Sequence, residues 1–165
     1  MMRRITTSAV LVAAVAAAFA APALAEERTC RGSLGAITVD NLRVPQGATC
    51  RLNGTRVEGT VKVENRATLK ATGIRVKGNV QAEGSASVRV AGSRIGGSIQ
   101  IVQSRGASLS RNAVNADIQL FGNRGTLTVS SNRIDGNLQC KENTPAPTGG
   151  GNVVRGNKED QCRRL

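Results

Sequence analysis

The chain has 165 residues, with 23 Lys and Arg against 11 Asp and Glu, no His, Trp or Tyr and only two Phe, for a formal net charge of +12. Without His there is no Ser-His-Asp or Cys-His pair, and without Trp and Tyr there is no aromatic platform for neutral sugars or for stacked bases. The positive excess favours anionic partners.

Residues 1–25 read as a cleaved signal peptide. Arg3 and Arg4 precede an apolar run from Ala9 to Ala20, and the small residues Ala23-Leu24-Ala25 follow it. That run is too short to span a membrane, so the protein is expected to be secreted or associated with the cell envelope. Removing Arg3 and Arg4 leaves 21 basic residues against 11 acidic ones, a net charge of about +10. Cys30, Cys50, Cys140 and Cys162 all lie in the exported part, and an even number of Cys in an oxidising compartment predicts two disulfides.

Residues 26–40 are expected to form an N-terminal cap strand carrying Ile37 and Val39. From Asn41 to Gly156 the chain divides, with nothing left over, into six units of 19 or 20 residues. The second position of the units reads Leu42, Val61, Val80, Ile99, Ile118, Leu138, and the fourth reads Val44, Val63, Ala82, Ile101, Leu120, Cys140. Later columns hold Leu52, Ala71, Val90, Leu109 and Val129, then Val57, Val76, Ile95, Val114, Ile134 and Val154. Inside each unit apolar and polar residues alternate, the pattern of a strand with one buried face. Three short strands separated by Gly, Asn and Ser corners leave no window for a helix. The expected fold is therefore all-β: a parallel β-helix of about six turns, right-handed by the usual rule, with successive turns stacked about 4.8 Å apart.

One turn cannot close a core by itself, so stacking is obligatory. Five units end in Gly (Gly59, Gly78, Gly97, Gly136, Gly156), a residue free to adopt positive φ at a corner. The sixth unit breaks down at Asn143–Gly151, where Pro145 and Pro147 cannot donate to a ladder, and residues 157–165 are expected to be a cap tail. Cys30 and Cys50 are 20 residues apart and Cys140 and Cys162 are 22, each close to one turn. That spacing predicts Cys30–Cys50 and Cys140–Cys162, one staple per end.

The beat "VKGNVQA…VRVAGSRIGGSIQI", apolar pairs flanking a Gly, resembles the repeat of bactofilins, and the similarity covers about Asn41 to Gly136. The resemblance implies a right-handed parallel β-helix and end-to-end polymerisation. The chain differs from bactofilins in its export signal, its terminal cysteines and its Pro/Gly-rich last unit. Its tail, "NLQCKENTPAPTGGGNVVRGNKEDQC", resembles the endings of exported bacterial β-helix proteins.

Two basic columns stand out on the outward positions. Arg56, Arg75, Arg94 and Arg133 precede the last core residue of their units, with Ala113 interrupting the series; Arg51, Lys70 and Arg89 lie between the two core positions of the middle strand. Like charges on stacked turns repel, which an anionic polymer would relieve: a wall polymer, an anionic glycan, lipopolysaccharide or extracellular DNA. The competing explanation is that long soluble side chains cover apolar surface on an outward face. Gln81, Gln100, Gln119 and Gln139 form a further column expected to make an amide ladder, and Asn112, Asn132 and Asn152 recur at one corner. Asp40, Asp117 and Asp135 are scattered, so a polysaccharide-active enzyme ranks third, behind a non-enzymatic basic surface and a self-associating scaffold. No cofactor or metal is expected.

Overall fold

The structure is a computed structural model that describes residues 26–165. The described residues form an all-β parallel β-helix of roughly seven turns, with three strands per turn and no helix. Each strand is followed, about one turn later in the chain, by its hydrogen-bonded parallel neighbour. The result is three sheets running along the coil, one of eight strands and two of seven. The first begins with Glu27–Thr29 and Asn41–Val44, the second with Gly32–Leu34 and Thr49–Asn53, and the third with Thr38–Val39 and Arg56–Val57.

Period-two alternation decides what each strand buries. In Thr49–Asn53 the pattern places Cys50 and Leu52 inward and Thr49, Arg51 and Asn53 outward. The register repeats without slippage: Leu42 opposes Val61, Val61 opposes Val80, and Ile99 opposes Ile118, all fully buried. These stacked aliphatic columns are the core. Their burial ties each turn to the next, because a slip of one residue would expose the whole set.

Three corners join the sheets, and at each a side chain of one turn hydrogen-bonds the backbone of its neighbour. Between the second and third sheets, the backbone N–H groups of Ser93, Asn112 and Asn132 donate to the Oδ1 atoms of Asn112, Asn132 and Asn152, at 3.0 Å in each case. The Nδ2 atoms of Asn112, Asn132 and Asn152 donate to the carbonyls of Val90, Leu109 and Val129. The residue before each Asn bends the chain with positive φ: Arg111 (53°), Ser131 (56°) and Gly151 (68°). A second ladder, between the first and second sheets, runs through Ser85, Ser104, Asn123 and Asn143 and ends on Gln161 Oε1, which accepts from the Asn143 N–H at 2.9 Å.

The third corner corrects an expectation. The glycines that close the units, Gly59, Gly78, Gly97, Gly136 and Gly156, are absent from the positive-φ set. They are small because the preceding turn occupies the space a Cβ would need: Asn79 Oδ1 blocks it at Gly97, Asp117 Oδ1 at Gly136 and Asn137 Oδ1 at Gly156. The same oxygens accept from the next residue's N–H, as in Ser98 to Asn79 Oδ1 (2.8 Å) and Asn137 to Asp117 Oδ1 (2.7 Å).

Both ends also differ from expectation. Residues 26–40 form a complete short turn with three strands rather than a single cap strand, which raises the count from six to about seven. Ile37 lies outside those strands and is 44% exposed, while Val39 packs against the core. At the other end Lys158–Asp160 adds the eighth strand to the first sheet, and beyond it Cys162 and Leu165 pack into the core. The disulfides are those expected from the turn spacing: Cys30–Cys50 and Cys140–Cys162, with Cα–Cα distances of 5.6 and 5.2 Å.

Replacing Asn132 by Ala would leave the buried Asn112 N–H without its partner and remove the extra bond to the Leu109 carbonyl, which the strand ladder already engages. The expected loss is about 1–3 kcal/mol for that one orphaned group, read as a shift of the urea midpoint. Gln100→Ala, at a half-exposed outward position, should cost less than about 1 kcal/mol. Gly97→Ala should destabilise by crowding Asn79, and Asn79→Ala in the same chain should recover part of that loss in a double-mutant cycle.

Candidate functional site

The register brings each basic column together. On the second sheet Arg51 opposes Lys70 and Lys70 opposes Arg89; on the third, Arg56 opposes Arg75 and Arg75 opposes Arg94. All six side chains are exposed, and all six sit on the same three consecutive turns. Side chains on adjacent turns are about 4.8 Å apart at their bases. Both columns stop at the next turn, where Ser108 opposes Arg89 and Ala113 opposes Arg94.

Arg133 falls in register with Ala113 but is separated from Arg94 by that turn. Its Nε lies 4.0 Å from Asp135 Oδ1, and Asp135 also meets Arg155 at 3.5 Å. Of the four arginines singled out in this column, the structure therefore assembles three and places the fourth beside an acid.

Local charges differ between the faces. No strand of the second sheet contains Asp or Glu. On the third sheet a shallow groove runs beside the arginines, lined by Arg56, Arg75, Arg94, Glu58, Lys77 and Asn115. Glu58 is engaged by Lys77. Among the described residues, none of the six column cations forms an ion pair.

The first sheet is different in kind. Gln81, Gln100 and Gln119 donate through Nε2 to Oε1 of Gln100, Gln119 and Gln139 at 3.1, 2.9 and 2.8 Å, and Gln139 donates to Glu159. Each amide nitrogen of this ladder is engaged by the following turn. Nearer the N-terminus Arg43 lies between Glu27 (2.8 Å) and Glu64 (3.3 Å). The Gln46 amide, and then Arg43, hold the Glu64 carboxyl below the usual range, and Glu64 and Glu27 raise the Arg43 guanidinium above its own.

The scattered aspartates each have a structural partner: Asp40 accepts from the Glu26 N–H, Asp117 from Asn137, and Asp135 meets two arginines. Among the described residues no group of three His, Cys, Asp or Glu converges to hold a metal ion, and no helix is long and apolar enough to cross a membrane. The expected export signal lies outside the described residues. Sequence reasoning missed the Ser85–Ser104–Asn123–Asn143 ladder, although those residues recur at the same interval as the apolar columns. No protein-family model, curated protein or solved structure matches this chain.

A carboxylate whose folded pKa is depressed contributes stability above its unfolded-state value and loses it as the pH falls through the folded value. Glu64→Gln should therefore lower the thermal midpoint at neutral pH, and the gap to the unaltered protein should close as the pH is lowered through the carboxylate range.

Proposed function

We propose that the protein is a non-enzymatic, extracytoplasmic component that binds anionic polymers through its basic faces. The observation that carries this reading is the alignment of Arg56, Arg75 and Arg94 on three consecutive turns, exposed and without ion pairs among the described residues. Holding like charges in register is repulsive, and a polyanion laid along the column removes the repulsion. Arg suits this task because its planar fork meets a carboxylate or phosphate with two parallel hydrogen bonds. Two disulfides fit an oxidising compartment outside the cytoplasm.

A scaffold stacked end to end, as the bactofilin-like repeat implies, is the second expectation. It receives less support, since Cys162 and Leu165 pack into the core at the C-terminal end, where a second copy would have to dock. Catalysis receives less again, because Asp40, Asp117 and Asp135 are each engaged structurally.

Binding to a soluble polyanion, followed by fluorescence anisotropy, should weaken steeply as salt is raised. The variant R51Q/R56Q/K70Q/R75Q/R89Q/R94Q, with both columns neutralised, should bind roughly tenfold more weakly or worse, at about 0.2–1 kcal/mol for each of the exposed pairs lost, and its affinity should depend less on salt. Unchanged affinity in that variant would end the proposal.

A further inference from the structure

The two basic columns occupy the same turns on different sheets, and each is bounded by small neutral residues. On the second sheet Ser33 precedes Arg51 and Ser108 follows Arg89; on the third, Thr38 precedes Arg56 and Ala113 follows Arg94. Between the sheets the chain bends at Gly54, Gly73 and Gly92, with φ of 68°, 62° and 58°. Side chains stand nearly perpendicular to their sheet, so the bend aims the two columns away from each other. A stiff chain lying along the coil axis engages one column in full and leaves the other open. The structure thus offers two separate lanes of three cations, one with no acid in its sheet and one in a groove whose Glu58 is already paired with Lys77.

We propose that the protein binds two chains of a linear polyuronate at once, one along each lane, and thereby cross-links them. This rests on the anion-binding reading above and adds the occupant and the valency. The occupant follows from charge spacing. Cations recur once per turn, about 4.8 Å apart, and a glycan bearing one carboxylate per pyranose ring repeats over nearly the same length. Duplex DNA carries a charge about every 1.7 Å of axis, far denser than either lane, and for a single strand the protein has no Trp or Tyr on which bases could stack.

Calorimetric titration of the oxidised protein with tetragalacturonate at low salt tests the proposal. Two equivalents should bind per chain, falling to one in R56Q/R75Q/R94Q, to one in R51Q/K70Q/R89Q, and to none when all six are replaced. With long polygalacturonate, light scattering should rise and then fall as the protein-to-polymer ratio increases, and should stay flat for either three-site variant. One equivalent in the unaltered protein, lost in both variants, would mean that a single chain straddles the corner, and would overturn the two-lane proposal while sparing anion binding. Two equivalents surviving in both variants would move the sites elsewhere, and tighter binding of duplex DNA would replace the occupant. No uptake of either polymer would remove the anion-binding reading itself. The stoichiometry of the unaltered protein decides between one lane and two even if a variant fails to fold.

Discussion

The structure depends on one recurring bond: a side-chain oxygen of one turn accepting the backbone N–H of its neighbour at a corner. Along the flat faces, parallel ladders satisfy the backbone by themselves. At the corners the chain bends and the ladder breaks, and a buried N–H left there costs about 1–3 kcal/mol. Asn112, Asn132 and Asn152 fill that gap at one corner, Asn123 and Asn143 at another, and Asn41, Asn79, Asp117 and Asn137 at the third. Each turn is thus completed by the one beside it.

That dependence explains how the ends are built. A ladder that runs from turn to turn must stop on something, and at the C-terminal end it stops on Gln161, whose Oε1 accepts from the Asn143 backbone and whose Nε2 donates to the Asn143 carbonyl. The neighbouring Cys140–Cys162 bridge fixes the segment that carries Gln161, and Leu165 packs behind it. At the N-terminal end the short first turn is stapled by Cys30–Cys50 and held by Arg43 between Glu27 and Glu64.

A rigid frame of this kind can hold an arrangement that a flexible chain would relax. Arg56, Arg75 and Arg94 stay in register because Val57, Val76 and Ile95, one residue further on, are buried and cannot shift without unpacking the core. The repulsion of the exposed column is small beside that burial. Charge is also sorted among the faces. The strands of the second sheet are free of acids, whereas Glu27, Glu83, Glu159 and Asp160 all lie in strands of the first. A protein of mixed sequence charge therefore presents faces of distinct character.

The interval of 19 or 20 residues and the period-two alternation were enough, read from the sequence, to determine the parallel coil, its three strands per turn, its core columns and the pairing of its cysteines. All are consequences of stacking identical units, so they follow from position in the repeat. The tertiary structure alone decided what breaks the repeat. Residues 26–40 lack the full apolar pattern, yet the edge of Asn41–Val44 templates Glu27–Thr29 into an additional turn. The closing glycines are small because a side chain from the preceding turn fills their space, a contact that torsional preference cannot show. Arg133 belongs to the arginine column by spacing, but Ala113 separates it from Arg94, and Arg155, which shares Asp135 with it, comes from the next turn and reaches that carboxylate only when the turns stack.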